Sequence, residues 1–225
     1  MELILVPKSS KKFHARLSSR LIEWAISIYE GPIHWQVWPR ADASHRPHNP
    51  SKHMPDSTLD LLNDIIRNVY ECAGMNLTHP AQREAESAEY GACRFGLDGH
   101  AVVFRIARTT PTKVGQFVTI WKRSTPQSEI TPLDSADDVA FVVVSVSDAE
   151  HCGQFIFNRK VLLEKGVMSR GGKGGKRAIR VYPPWCKPTA KDAIRTQQWQ
   201  VRCFLPLAAD GTAESPEQVR MLFQA

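Results

Sequence analysis

Glu89 to Arg123 read EYGACRFGLDGHAVVFRIARTTPTKVGQFVTIWKR. The pattern is three strands joined by two turns. Ala92–Leu97 predicts a short strand, and Asp98-Gly99 is a two-residue turn signal because both positions tolerate positive φ. Ala101–Ala107 predicts a second strand, rich in β-branched and apolar residues. Thr109–Gly115 reads as a turn, with Pro111 unable to donate to a ladder, and Gln116–Lys122 as the third strand. Strand alternation puts Val103, Arg105 and Ala107 on one face, and Val102, Phe104 and Ile106 on the other. Arg105 is therefore expected to project from a sheet whose opposite face is apolar. From Arg94 to Arg123 there are six basic residues and one acid, Asp98. A rigid sheet presenting such groups is a candidate phosphate-reading surface. The plainer alternative is a solvated sheet face with unrelated charges.

The flanking segments supply the rest of a core. Pro55-Asp56-Ser57 opens a helix that Asp56 or Ser57 can cap and Gly74 can close. Leu59, Leu62, Ile66 and Val69 recur on one face of it, suited to packing on a sheet. Pro80–Ala88 is expected to form a second helical segment or an ordered loop that delivers Glu86 and Glu89 to the first strand. Downstream, Ser124–Asp138 is a polar loop and Ala140–Val146 a buried strand. Gly153–Phe157 is another strand, whose Gly-Gln-Phe-Ile echoes Gly115-Gln116-Phe117-Val118. Asn158 caps a short helix to Lys165, ended by Gly166. Ala178–Tyr182 is a strand stopped by Pro183-Pro184-Trp185. Thr189–Arg202 reads as a helix with Ile194 and Val201 turned inward and Leu205 beyond it, and Ser215 caps a final helix.

The 225 residues suffice for one domain with a tail. The longest apolar run, Val139–Val144, is far too short to span a bilayer, so no membrane partner is expected. The five scattered cysteines form no C-x-x-C pair, which suits reduced thiols. A cytoplasmic location follows as an expectation, or a nuclear one in a eukaryote. Residues 1–53 carry eight Lys/Arg and four Asp/Glu, with His34, His45, His48 and His53 in a Pro- and Ser-rich segment. They read as a basic appendage, largely disordered apart from a weak helix over Leu17–Tyr29. The histidine spacing matches no metal-ligand pattern, and residues 54–225 form the single folded domain.

Charge is segregated in that domain. Acids gather at Glu84, Glu86 and Glu89 and at Asp134, Asp137 and Asp138. A second basic block from Lys165 to Lys187 holds seven Lys/Arg and no acid. Segregation of this kind points to a polyanionic partner. Within that block SRGGKGGK, Ser169–Lys176, is not a phosphate-binding P-loop, because Arg177 follows Lys176 where Ser or Thr is required. Its glycines and bases suit a loop that orders around a phosphate backbone.

FRIARTTPTKVGQFVTIWKR (Phe104–Arg123), GQFIF (Gly153–Phe157), GKRAIRVYPPW (Gly175–Trp185) and TQQWQ (Thr196–Gln200) resemble, in that order, the motifs of the MepB-like family. The likeness runs from about Asp56 to Leu205. It implies an α/β (α+β) fold of the restriction-endonuclease-like type, a central mixed β-sheet flanked by helices. Nucleases of that type need an acid at one strand and an acid-x-lysine on the next, the acids holding Mg²⁺. Here the triplets ending in a base are Val103-Phe104-Arg105 and Ile106-Ala107-Arg108, with apolar residues where a metal-binding acid belongs. Glu89 is the one catalytic candidate, and no metal ligand set and no cofactor emerge.

These features predict a nucleic-acid-binding protein, DNA being the first expectation, built on a catalytically degenerate nuclease-like fold. Arg105, Arg108, Lys113 and Lys122 would line the sheet, with Thr110, Thr112 and Gln116 donating neutral hydrogen bonds. Lys173, Lys176, Arg177 and Arg180 would close from the glycine-rich side. Two alternatives stay open. One is a Mg²⁺-dependent nuclease with an atypical site. The other is a nucleotide or small-anion pocket with Trp121 or Trp185 stacking a base. No Ser-His-Asp, Cys-His or H-E-x-x-H pattern supports other chemistry.

Overall fold

In this computed structural model residues 57–125 and 127–224 are described. The expectations for residues 1–56 (the disordered appendage, its helix, the histidines and the Asp56 cap) lie outside them. The elements, in chain order, are α1 (Ser57–Ile65), continued by a π turn over Ile66–Glu71, β1 (Leu77–Arg83), β2 (Cys93–Leu97), β3 (His100–Ile106), β4 (Arg108–Thr110), β5 (Lys113–Thr119), β6 (Trp121–Lys122), β7 (Thr131–Pro132), β8 (Phe141–Ser147), β9 (Cys152–Asn158), α2 (Arg159–Glu164), β10 (Ala178–Val181), α3 (Lys191–Gln200), β11 (Phe204–Leu207) and α4 (Pro216–Gln224).

Six strands form one sheet in the order β1-β2-β3-β8-β9-β11. Its central pair, β3 and β8, is parallel, and the other neighbours are antiparallel. The chain is thus an α+β protein with a mixed central sheet and flanking helices. Asp98 and Gly99 make the β2–β3 turn with φ of 48° and 78°, which the short polar side chain of Asp98 and the missing Cβ of Gly99 allow. Asn158 caps α2 by accepting from the Val161 N–H at 2.8 Å.

Both faces of the large sheet are covered. On one, Val102, Phe104, Phe141, Val143 and Ile156 meet Leu62, Ile66, Val69 and Tyr70 from the first helix and Val219 and Phe223 from α4. On the other, Val103, Val142, Val144, Phe155 and Phe157 meet Val118, Ile179 and Val181 from a second, three-stranded sheet, ordered β10-β5-β4, and Ile120 just beyond β5. Layers on both sides account for the near-continuous apolar run of β8.

Four local expectations are corrected. Pro80–Ala88 is not helical at its start: β1 runs to Arg83, and Pro80 sits where its register shifts against β2. An edge strand tolerates a residue without an N–H at such a bulge. The turn expected over Thr109–Gly115 shrinks to Pro111-Thr112, between β4 and β5. The third predicted strand does not pair with the second. After Ile106 the Ala107 N–H still bonds the Ser145 oxygen at 2.9 Å, and the chain then leaves for the small sheet. Finally, Ile194 and Val201 are each 38% exposed, because α3 buries Gln200 instead.

The repeated Gly-Gln-Phe has one structural meaning in two sheets. A Cβ on Gly153 would lie 2.3 Å from the Phe204 ring, and one on Gly115 would lie 2.6 Å from the Tyr182 ring. Each glycine admits a ring from the neighbouring strand. Each glutamine turns inward: Gln154 accepts from the Tyr70 hydroxyl at 2.7 Å, and Gln116 donates to the Ser147 carbonyl at 2.7 Å.

Candidate nucleic-acid interface

Arg105 shares a face with Val103, as alternation requires, but the small sheet covers that face and leaves it 1% exposed. Its guanidinium pairs with Glu84 and donates to the Phe104 carbonyl at 2.8 Å. Burial pulls its pKa down, and the Glu84 carboxylate opposes that. The other oxygen of Glu84 accepts from Arg94 Nε. Arg123 pairs with Glu86 at 3.1 Å, and Arg108 donates to the Glu89 backbone oxygen. The acidic run and the basic run that looked like one half of an intermolecular match are largely each other's partners. Arg105 is thereby removed from the list of surface contacts. So is Gln116, which is 5% exposed and faces the core.

Lys122, on the short β6–β7 ribbon, pairs with Asp137. The second basic block follows the same logic. The glycine-rich loop closes on a carboxylate of its own chain. Asp134 accepts from Ser169 Oγ at 2.6 Å and from the N–H groups of Gly172 and Ala136 at 2.8 and 3.0 Å. Those donors, Ser169 first, hold the Asp134 carboxyl far below the usual carboxylate range. The backbone concavity that glycine makes available is thus filled from within. The exposed side chains of Arg170, Lys173, Lys176 and Arg177 remain for a partner.

An organised surface does exist, on the outer face of the small sheet. The register places Arg108, Phe117 and Arg180 in one row across β4, β5 and β10. Gln116 and Val118 point the other way into the core. The Arg180 guanidinium lies 6.0 Å from the Phe117 ring centroid. It also donates to the Gly115 carbonyl at 2.9 Å and to Thr110 Oγ1 at 3.0 Å, which ties β10 to the β4–β5 hairpin. Tyr182 lies over Gly115, two residues from Phe117 on the same face. Tyr90 meets Phe117 edge-on with centroids 6.1 Å apart. Partial burial and then the Glu89 carboxylate push the Tyr90 phenol up, with Arg108 opposing them. Thr112 and Lys113 are exposed at the hairpin tip.

The geometry therefore joins Arg108, Thr110, Thr112, Lys113 and Arg180, and separates Arg105, Gln116 and Lys122 from them. Lys176 and Arg177 precede β10, at the opposite end of β5 from the tip. With seven residues in β5 and a rise of roughly 3.3 Å per residue, the two ends are about 20 Å apart. Tyr90 and Phe117 are additions the sequence reading lacked. Phe117 was legible only as a strand residue, since its partners Arg108 and Arg180 follow from register. Trp185, in contrast, is engaged internally: it stacks on His151 with centroids 5.1 Å apart and abuts Phe204.

Gln197 and Gln200 of α3 fix the β10 side of this surface. Gln200, with no exposed area, accepts from the Tyr182 N–H at 2.9 Å and donates to the Arg180 carbonyl at 3.1 Å. Gln197 donates to the carbonyls of Pro183 and Cys186 at 3.0 and 2.8 Å. The TQQWQ run is thus a clamp on the backbone that carries Arg180 and Tyr182.

Residues 84–206, from Glu84 of the buried ion pair through β11, match the family model described as MepB-like. The chain belongs to the MepB-like family. A solved relative, the crystal structure of MepB, is 33% identical to it, with a TM-score of 0.54. The match covers 68% of this chain and 97% of that one. A search of curated proteins finds no match. The family span contains every residue of the outer sheet face and both glutamines of the clamp, while α1 and α4 lie outside it. Among the described residues of this MepB-like chain, no helix is long and apolar enough to cross a membrane.

Proposed function

We propose that this MepB-like protein binds nucleic acid, DNA in the first instance, through the outer face of its small sheet and without catalysis. The row Arg108–Phe117–Arg180 carries the reading. It sets two guanidinium groups on a rigid surface, with Lys113 at one end and Lys176 and Arg177 towards the other. Phosphates are the ligands that such spaced cations hold most generally. Thr110 and Thr112 supply neutral hydroxyls nearby.

The residues do not favour the Mg²⁺-dependent alternative. Glu84 is the carboxylate closest to the central basic strand, and both of its oxygens are engaged by guanidinium groups. A divalent cation there would meet positive charge. Among the described residues no group of three His, Cys, Asp or Glu is placed to hold a metal ion. In this reading the restriction-endonuclease-like ancestry survives as architecture, with Val103 standing where that fold type carries a metal-binding acid and Arg105 where it carries the lysine. A cytoplasmic location belongs to the same reading.

Fluorescence anisotropy of the full chain with labelled 20-mers, in a salt series, tests it. Three to five phosphate contacts predict a log–log salt slope of roughly −3 to −4. Arg108→Glu together with Lys113→Glu should abolish binding. Affinity that ignores both salt and this double variant would overturn the interface.

A further inference from the structure

We infer that the ligand of this surface is single-stranded nucleic acid, whose unpaired bases stack on Phe117 and Tyr182 while Arg108 and Arg180 hold the flanking phosphates. This rests on the nucleic-acid reading above and adds what kind of strand is taken.

The argument starts from the two sides of β5. Its inward residues, Gln116 and Val118, are buried, which fixes the strand against the core and gives its outer face a rigid floor. On that floor Gly115 carries no side chain, and the Tyr182 ring occupies the space, where a Cβ would be 2.6 Å from it. Phe117 follows on the same face, with the Tyr90 edge 6.1 Å away and the Arg180 guanidinium 6.0 Å away. Phe117, Tyr182 and Tyr90 are all half-buried, so each keeps ring surface towards solvent.

A surface made only to hold duplex phosphates has no use for rings, because duplex bases are stacked inside the helix and their faces are hidden. An unpaired base has a free π face, and aromatic side chains beside cationic groups suit such bases without reading sequence. Arg180 serves twice: its plane neighbours Phe117, and its charge is available to phosphate. Its position does not depend on a ligand, since Thr110 and the Gly115 carbonyl already hold it. The Gln200 clamp likewise fixes Tyr182 through its own N–H. The platform is therefore formed before any strand arrives, which limits the ordering cost of binding. The β5 strand, about 20 Å long, gives room for a few extended nucleotides.

The test uses the full chain and three labelled probes: a 20-mer oligodeoxythymidylate, a 20-base-pair duplex, and a 20-mer of abasic residues. The expected result is at least tenfold tighter binding of the single strand than of the duplex. Phe117→Leu and Tyr182→Leu should each weaken the single strand about 5- to 150-fold, the worth of one base–aromatic stack. The abasic probe should change by less than about twofold, since it has nothing to stack. Phe117→Tyr keeps the ring and should keep the affinity. Tyr90→Leu, on a surface turn, is a second variant in case Phe117→Leu fails to fold, which a thermal melt would show. Equal affinity for duplex and single strand, unmoved by the ring variants but lost in Arg108→Glu/Lys113→Glu, would overturn stacking and leave the nucleic-acid reading standing. No binding to any of the three probes would remove both.

Discussion

Replacing Glu84 by Gln should destabilise the fold sharply while leaving its shape alone. Arg105 is 1% exposed, and its charge is matched by one carboxylate. Removing one partner of a buried pair leaves an uncompensated charge and costs about 3–5 kcal/mol. The Glu84 side chain is 19% exposed, so water reaches one side of the pair. The lower end, about 3 kcal/mol, is the fair expectation. For a chain of this size 1 kcal/mol corresponds to roughly 2–4 °C, so Tm should fall by about 6–12 °C. Thermal melts and urea unfolding at pH 7 would measure it. A double variant, Glu84→Leu with Arg105→Met, removes both charges and should recover most of the loss. A Glu84→Gln protein within about 0.5 kcal/mol of the parent, the range of ordinary surface changes, would refute the claim that Glu84 compensates the buried charge of Arg105. So would a double variant no better than the single one.

The remaining predictions concern the loop and the clamp. Asp134 has a folded pKa below its ordinary 3.8, so it contributes stability above that pH, and the contribution is lost as pH falls towards the folded value. Asp134→Asn should therefore lower stability at pH 7 and flatten its decline below about pH 4; an unchanged acid limb in urea melts would sink this. Gln200→Leu leaves the Tyr182 N–H and the Arg180 carbonyl buried without partners and should cost about 2–4 kcal/mol. Faster hydrogen exchange confined to β10 would localise the effect, and uniform exchange would contradict it.

Local signals in the sequence were strong wherever the chemistry was local. The Asp98-Gly99 turn, the Asn158 cap and the apolar runs of β8 and β9 need only neighbouring residues to be understood. Arg105 shows the limit. Alternation correctly placed it with Val103, but parity says which residues share a face and not what lies over that face. The covering layer is β5 and β10, and their position depends on the chain leaving the large sheet after Ala107, which no local pattern announces. The charge blocks misled for a related reason. Glu84, Arg94 and Arg105 are neighbours through pairing of β1, β2 and β3, so acids and bases that are separate in sequence neutralise each other in space. The same pairing problem hid Phe117, whose role depends on a row formed by three strands. Pro80 in β1 was misread because the edge position that excuses it is a property of the sheet.

The Gln200 side chain has a consequence beyond holding Arg180 and Tyr182. β10 is the last strand of the small sheet, and a terminal strand ordinarily offers its unpaired N–H and C=O groups to any extended segment of another molecule. Here the amide of one glutamine satisfies an N–H and a C=O of that border, as a neighbouring peptide would, yet it ends there and presents no further backbone to copy. A helix that is polar on most sides, and contributes little to the apolar core, thus keeps the sheet from recruiting strands from its neighbours. Loss of the glutamine would then show itself first in concentrated solution, as assembly that depends on protein concentration at temperatures where the dilute protein is still folded.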